Sequence, residues 1–278
     1  DIYGILFFPY IRLDINGARL FEYLRQRVSF FRKRLLISWV LGNSSVDSIF
    51  LLNDPGGARL LNRVHGTNTF RPLPDPVFSP ADNSNAVAPF QSGDDRLHCL
   101  FFGAIREQKG IRELIQAMHL LSEQDARDIE LHVLGATSGD LKDELPRLIK
   151  RLRGSQKRLR VHYEDRFLEY AELEEAIRSC DLVLAPYQQT EGSSGVIGHA
   201  AKHRKPVIGP STGLIGSLIR EYKLGMSVDA SNPAAIAQAI RAVLKDPSKI
   251  GDEDEMQRYV EERTPEQFVS TIIETLVK

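Results

Sequence analysis

From residue 97 onward, short apolar runs alternate six times with segments of helical period, and few folds accommodate that order. The runs lie at 97–102, 129–134, 159–163, 182–185, 206–208 and 226–228. Apolar runs this short, broken only by single polar residues, read as strands buried in a parallel sheet covered by helices. Between the first two, Ile111, Leu114, Ile115 and Met118 recur at three- and four-residue spacing, one face of an amphipathic helix. Leu173, Ala176 and Ile177 repeat the pattern within 170–179, and further helices are expected at 141–152, 196–203 and 214–222. Pro146 inside 141–152 marks a kink or the true first turn. Two helices close the chain: Asn232 with Pro233 is an N-cap pattern, and Thr264, Pro265 and Gln267 form a capping box. The expected fold class is therefore α/β, a doubly wound parallel sheet. Right-handed crossovers would collect the strand C-termini on one edge, where such sheets bind ligands.

The region before residue 77 is too short for a second complete domain of this kind. Strands are expected at 2–8, 48–52 and 69–73, with a short helix after Pro55. Pro74, Pro76, Pro80 and Pro89, with Asn, Ser and Asp between them, read as a linker. The expected division is a partial N-terminal α/β domain over 1–76, a linker over 77–95 and a C-terminal domain over 96–278. Leu20, Leu24, Val28, Phe31 and Leu35 lie on one side of an N-terminal helix that also carries Arg25, Arg27, Arg32, Lys33 and Arg34. Such a stripe is expected to be the core face. It also admits peripheral contact with an anionic membrane.

Composition narrows the function. Lys and Arg number 36 against 37 Asp and Glu, a formal net charge of -1, which argues against a nucleic-acid partner. Cys99 and Cys180 border or sit in apolar runs without metal or redox spacing, so buried thiols in a reducing compartment are expected. No apolar run approaches the roughly 18 residues needed to span a bilayer. Asp1 is not an initiator Met and no small-residue cleavage site follows it, so no signal peptide is read and residues upstream are expected. The expected location is cytoplasmic, with peripheral membrane contact as the variant.

Three segments carry chemistry. Gly103-Ala104-Ile105-Arg106-Glu107-Gln108-Lys109-Gly110 lies between a strand and a helix. Its glycines allow close backbone approach, and Lys109 and Arg106 add charge for a diphosphate. Pro186-Tyr187-Gln188-Gln189-Thr190-Glu191-Gly192-Ser193-Ser194-Gly195-Val196 also follows a strand and opens a helix. Its small residues free amides for phosphate oxygens, Ser193 and Ser194 add hydroxyl donors, and Glu191 is a charge that is costly to bury without a task. Ser211-Thr212-Gly213, after Lys205-Pro206-Val207-Ile208, is a third such turn. Singly, each is also an ordinary loop. Together, on one sheet edge, they define an anion-binding cleft.

These segments resemble the C-terminal domain of retaining, GT-B-fold glycosyltransferases of the family-four, or group 1, type. The resemblance runs through Leu100-Phe101-Phe102-Gly103 to Lys109-Gly110, Leu114-Ile115-Gln116-Ala117, Val133-Leu134-Gly135, Asp181-Leu182-Val183-Leu184-Ala185-Pro186, Glu191-Gly192 to His199-Ala200, and Lys205-Pro206-Val207. It covers roughly 97–275. Upstream, Leu73-Pro74-Asp75-Pro76-Val77 is similar to the end of the family's N-terminal domain. The resemblance implies a nucleotide-diphosphate sugar donor, UDP or GDP type, with no cofactor and no metal. It implies Lys109 on the diphosphate, the backbone of 193–196 around the distal phosphate, and Glu191 by the transferred sugar. Glu191 and Lys109 are then the catalytic candidates. Gly103, Arg106, Lys109, Glu191, Gly192, Ser193, Ser194, Gly195, Val196 and His199 are the binding candidates. Residues 164–168 fall where the base usually stacks.

Two positions depart from the family pattern. The family's Arg beside the first Gly is Ala104 here, with Arg106 as the candidate replacement. The second Glu of the family signature is His199, which cannot hold two ribose hydroxyls as a carboxylate does. His65 matches no motif and is given no catalytic role. The acceptor is a glycan, a lipid or a small molecule. The rival readings are a non-catalytic nucleotide-sugar-binding protein and a nucleotide-sugar epimerase of the same fold.

Overall fold

The computed structural model describes residues 1–12, 20–78, 89–90, 95–247 and 250–277, with the side chains of residue 12 and residues 20–27 outside that description. Two parallel sheets result. The larger unit runs β4 (Leu97–Phe102), α3 (Ile111–His119), α4 (Glu123–Arg127), β5 (Ile129–Leu134), α5 (Leu141–Ser155), β6 (Arg160–Glu164), α6 (Tyr170–Ser179) and β7 (Leu182–Leu184). It continues through α7 (Gly195–Lys202), β8 (Val207–Pro210), α8 (Gly213–Glu221), β9 (Gly225–Val228), α9 (Pro233–Lys245), α10 (Glu253–Glu261) and α11 (Pro265–Leu276). The smaller unit holds β1 (Ile2–Ile5), α1 (Leu20–Leu41), β2 (Val46–Leu52), α2 (Pro55–His65) and β3 (Phe70–Leu73).

The six strands lie in the order β6-β5-β4-β7-β8-β9. In chain order within this sheet that is 3-2-1-4-5-6, the doubly wound arrangement whose direction reverses between the first and fourth strands. β4 is buried at every residue and pairs with both β5 and β7. One face of the sheet packs on α3, α5 and α9 through residues such as Leu114, Leu145 and Ile240. The other packs on α6, α7, α8 and α10 through Ile177, Ile197, Leu218 and Tyr259. Cys99 and Cys180 are buried free thiols, and burial pushes both well above the usual thiol range, Cys180 to about 12. Pro146 lies inside α5, whose first turn starts at Leu141, and faces solvent.

The three strands of the smaller sheet follow the order β1-β2-β3. Its core gathers Tyr10, Leu51, Ala58, Leu61 and Phe70, with Phe30, Ile37 and Leu41 of α1 against it. That corrects the expected core face of α1. Val28, Phe31 and Leu35 are exposed, Leu35 by 70%, and so is Trp39, by 79%. α1 carries apolar residues on more than one side, and a neighbouring stripe won the packing, with Phe30 meeting Tyr10 edge-on at 4.8 Å. Leu20 and Leu24, and Arg25 and Arg27, lie outside the described side chains. Among the described residues no helix is long and apolar enough to cross a membrane.

β1 is shorter than expected. Beyond Leu6 the chain leaves the sheet, and Phe7 and Phe8 reach across to Gly192, where a Cβ would lie 2.7 Å from the Phe7 carbonyl oxygen. Much of the linker, 79–88 and 91–94, lies outside the described residues. At its near end Val77 N–H donates to Arg263 O at 2.8 Å, and α11 packs back against β3. The two units thus touch both through Phe7 and Phe8 at Gly192 and through α11 at β3.

Candidate functional site

The loops after β4 and β7 flank the point where strand order reverses, which is where a crevice opens in a doubly wound sheet. They interlock. Gly110 has φ 76°, and a Cβ there would sit 1.9 Å from Pro186 O, so any side chain would force the loops apart. Gln188 N–H donates to Gln108 O at 2.8 Å across the same contact. This approach brings Lys109 Nζ to 2.7 Å from Tyr187 Oη. Gly103 turns the chain out of β4 with φ 94°.

Three helices begin around this crevice without a side-chain cap: α3 at Gly110, α7 at Ser194 and α8 at Thr212. Five other helices carry a side-chain cap, α2 by Asp54, α4 by Ser122, α9 by Asn232, α10 by Asp252 and α11 by Thr264, whereas α5 at Asp140 also lacks one. Uncapped first-turn amides with the helix dipole behind them can receive an anion, although at α8 Leu214 N–H is taken by Thr190 O at 2.8 Å and at α7 Ile197 N–H by Ser194 O at 3.2 Å. At α7, the Ser194 hydroxyl donates to Tyr187 Oη at 3.3 Å instead of closing its own helix. Gly195 is exposed and the Val196 side chain is buried, so the backbone is what these residues offer.

Glu191 stands beside this helix start. Its Oε2 is shielded from solvent and has no hydrogen-bond partner, a costly state for a carboxylate oxygen. Ser193 serves a different purpose from the expected one. Its hydroxyl donates to Asp75 Oδ2 at 2.7 Å and accepts from Asn53 Nδ2 at 2.9 Å. Both serine hydroxyls are therefore committed to protein partners.

Asn53 is the centre of that network. It is buried at φ 55°, and its Oδ1 accepts from Asp75 N at 2.9 Å and from Arg263 Nε at 2.9 Å. Arg263 is itself buried, donating to Tyr259 O and Tyr222 Oη. Burial raises the Asp75 carboxyl above its ordinary range, against the hydrogen bond from Ser193 and the charge of Arg263.

His199 sits one turn into α7, 3.0 Å from Glu174 Oε1 through Nδ1. Glu174 is buried and also receives His203 Nε2 at 2.9 Å and Lys202. Burial alone would raise its pKa, but the bonds from His199, His203 and Lys202 outweigh it and hold the carboxyl far below the usual range. With Asn53, Asp75, Ser194 and Tyr259, His199 lines a cavity of about 20 Å³, room for a single water. The Glu that the family resemblance leads one to seek at position 199 is thus replaced by a histidine backed by a carboxylate.

Arg106 stays outside this group. It is exposed and lines a neighbouring cleft of about 320 Å³ with Arg112, Ser138, Gly139 and Asp140. At the end of β6, Glu164 accepts from Arg166 at 2.8 Å, Arg166 also binds Glu172, and the Phe167 ring is 78% exposed. His65 bonds Tyr10 Oη at 3.0 Å and Ser38 at 3.3 Å, a packing role in the small unit. Among the described residues no group of three His, Cys, Asp or Glu side chains is placed to hold a metal ion. Tyr187, Asn53, Asp75, Glu174 and Arg263 were not singled out from sequence. Two of them carried a signal, Tyr187 inside the Pro186 to Val196 loop and Asp75 inside the Pro74-Asp75-Pro76 run.

The strand order and the two-sheet architecture define a doubly wound unit of the GT-B type. Residues 96–246, just over half of the 278-residue chain, match the family described as Glycosyl transferases group 1, and the chain belongs to it. It is similar to D-inositol 3-phosphate glycosyltransferase 1 of Catenulispora acidiphila, 29% identical over 181 residues, which are 63% of this chain and 42% of that protein. It is also similar to D-inositol 3-phosphate glycosyltransferase of Geodermatophilus obscurus, 31% identical over 60% of this chain and 37% of that one. The chain thus spans about two fifths of the length of these relatives. Among solved structures, HepE of Anabaena in complex with UDP superposes with a TM-score of 0.68 at 17% identity, covering 99% of this chain and 71% of that one. Sucrose-phosphate synthase of Thermosynechococcus elongatus gives 0.67 at 17% identity over 99% of this chain and 66% of that one.

Proposed function

We propose that this protein transfers a sugar, with retention, from a UDP- or GDP-type nucleotide sugar to a hydroxyl acceptor on a glycan, a lipid or a small molecule. The observation that carries the reading is the meeting of Lys109 with the uncapped start of α7 at the reversal of strand order, beside the unpartnered Glu191 oxygen. As the anomeric C–O bond breaks, negative charge grows on the leaving diphosphate. Lys109 and the first amides of α7 are preorganised donors for that charge. Glu191 accepts from a hydroxyl of the transferred sugar, which supplies the partner its Oε2 lacks. The base lies along 164–168, against Phe167. The match to inositol-phosphate glycosyltransferases and to a UDP complex supports the donor class.

Calorimetric titration with UDP, GDP and ADP tests this. One nucleotide is expected to bind tightly. Lys109→Ala should weaken it about tenfold or more, the loss of a charge-assisted contact worth roughly 1.5–3 kcal/mol. Incubation with the sugar donor of that nucleotide then separates transferase from binding protein. Binding without release of the nucleoside diphosphate in the presence of any acceptor favours the non-catalytic alternative. Conversion of the donor to a C-epimer favours the epimerase.

Peripheral membrane contact belongs to the same reading, with a lipid-linked acceptor. The exposed Val28, Phe31, Leu35 and Trp39 on α1, beside Arg32 and Lys33, support it. Trp39 is the sole tryptophan, so its emission reports the contact directly. A blue shift with anionic vesicles, absent with neutral ones and removed by high salt, is the expected result; unchanged emission refutes it.

A further inference from the structure

We infer that Tyr187 is the positioning residue of the diphosphate cradle: its phenol oxygen ties Lys109 to the first turn of α7 and keeps its own proton for a phosphate oxygen. The inference rests on the donor-site reading above and assigns a residue that reading leaves without a task.

The first argument is an inventory of donors and acceptors. A phenol has two lone-pair sites and one proton. Lys109 Nζ donates to the oxygen at 2.7 Å and Ser194 Oγ donates to it at 3.3 Å, which fills both acceptor positions. Among the described residues no acceptor is paired with the remaining proton. A phenol only 6% exposed, with an undirected proton at a helix start, is completed by an anion.

The second argument is rigidity. The ring packs in the same core cluster as Phe102, Ala185 and Val196. Gln188, the next residue, is fastened by its side chain to Ala230 O at 2.8 Å and to Pro186 O at 3.0 Å. The glycine at 110 lets the Lys109 loop lie directly on Pro186. A lysine has four rotatable bonds to freeze, and here the phenol holds the ammonium before any ligand arrives. One of the three Nζ protons goes to Tyr187, which leaves two for a diphosphate. Because its own side chain is drawn to Tyr187, Ser194 leaves the amides of Gly195 and Val196 uncapped, while Ile197 N–H turns to Ser194 O at 3.2 Å. A single hydroxyl thus accounts for the pose of the cation and for the missing cap.

The test is Tyr187→Phe, which keeps the ring and removes only the hydroxyl. Nucleoside diphosphate affinity is measured on wild type, Tyr187→Phe, Lys109→Ala and the double variant, each first shown to retain its thermal transition. Tyr187→Phe is expected to weaken binding about five- to tenfold. The double variant should be weaker than Lys109→Ala alone by less than the full Tyr187→Phe factor, because once Lys109 is gone only the phenol's own bond to phosphate remains to be lost. The β-phosphorus resonance of bound nucleotide should shift in Tyr187→Phe while the α-phosphorus resonance stays, which a remote packing effect would not produce. Wild-type affinity in Tyr187→Phe beside a loss in Lys109→Ala overturns the proposal and leaves the donor-site reading intact. Losses that simply multiply also overturn it, since the two residues then act apart. No effect from Lys109→Ala, or no binding by wild type, removes the donor-site reading and this proposal with it. Should Tyr187→Phe fail to fold, Ser194→Ala carries the same test, with the same non-additivity against Lys109→Ala expected.

Discussion

His132 is fully buried on β5, and its Nε2 lies 3.1 Å from His98 Nδ1, with Phe90 stacked on its ring at 3.5 Å. Burial, then the neighbouring charges that His98 and His162 would carry, lower its pKa from 6.5 to about 3. The unfolded chain takes up this proton near pH 6.5 and the folded chain does not, so His132 supports folding fully above pH 6.5. That support drains away as pH falls from 6.5 toward 3. The contribution lost by pH 4.5 is on the order of 3 kcal/mol. Chemical denaturation at pH 7.5 and 4.5 on wild type and His132→Gln measures it, the variant being expected to show a much flatter change. The carboxylates and the other histidines, His65 and His119 among them, are common to both proteins and cancel in the comparison. An equal pH slope in the two would show that another group carries the acid sensitivity. At this scale the sequence was partly legible. Lys109 and Glu191 could be named because a charge in a small-residue loop has few structural uses. Tyr187, Asn53 and Glu174 could not, because each owes its role to partners far away in the chain, such as Asn53 to Ser193 and Arg263. Arg106 shows the converse, a charge at the expected spacing whose side chain lines the next cleft.

Elements were more legible than residues where one local signal decides them. β4, with all six residues buried, announces itself as an unbroken apolar run. The caps at Asn232 and Thr264 are where the side-chain chemistry requires them, each accepting from a first-turn amide. Strand order is another matter. Nothing in the runs themselves says that β4 lies between β5 and β7, since that order is set by crossovers over tens of residues. The order nevertheless shapes the candidate site, because it brings the loops of Lys109 and Tyr187 side by side. α1 failed for a different reason. Period analysis finds apolar stripes but does not rank two that compete, and the stripe of Phe30, Ile37 and Leu41 had Tyr10 opposite it. Missing caps were legible only in retrospect. Ser194 looks like a normal N-cap in sequence, and only Tyr187 above it shows why it is not one.

The whole molecule depends on a buried polar clasp. Among its described residues the smaller unit has three strands, two α-helices and a core of Tyr10, Leu51, Ala58, Leu61 and Phe70, while much of the described part of α1 faces outward. A unit of that size buries too little to stand firmly by itself. Asn53 after β2, Asp75 after β3, Ser193 in the α7 loop and Arg263 before α11 bind one another across the boundary. Arg263→Met keeps most of the packing volume and removes the guanidinium. It removes the bonds that Asn53 Oδ1, Tyr259 O and Tyr222 Oη receive from the guanidinium and takes a neighbouring positive charge from Asp75, a loss of about 3 kcal/mol. The loss should fall unevenly. Hydrogen exchange is expected to speed up first in α2 and β2, while β4 and β5 stay protected, and the single thermal transition should split into two. Because Ser193 precedes the α7 amides, nucleotide affinity should fall in the same variant although Arg263 touches no phosphate. Uniform acceleration across both sheets would mean that the boundary is an ordinary packed core and the clasp only decorates it. Faster exchange in the small unit at unchanged nucleotide affinity would separate the clasp from the site and make Ser193 a structural residue alone.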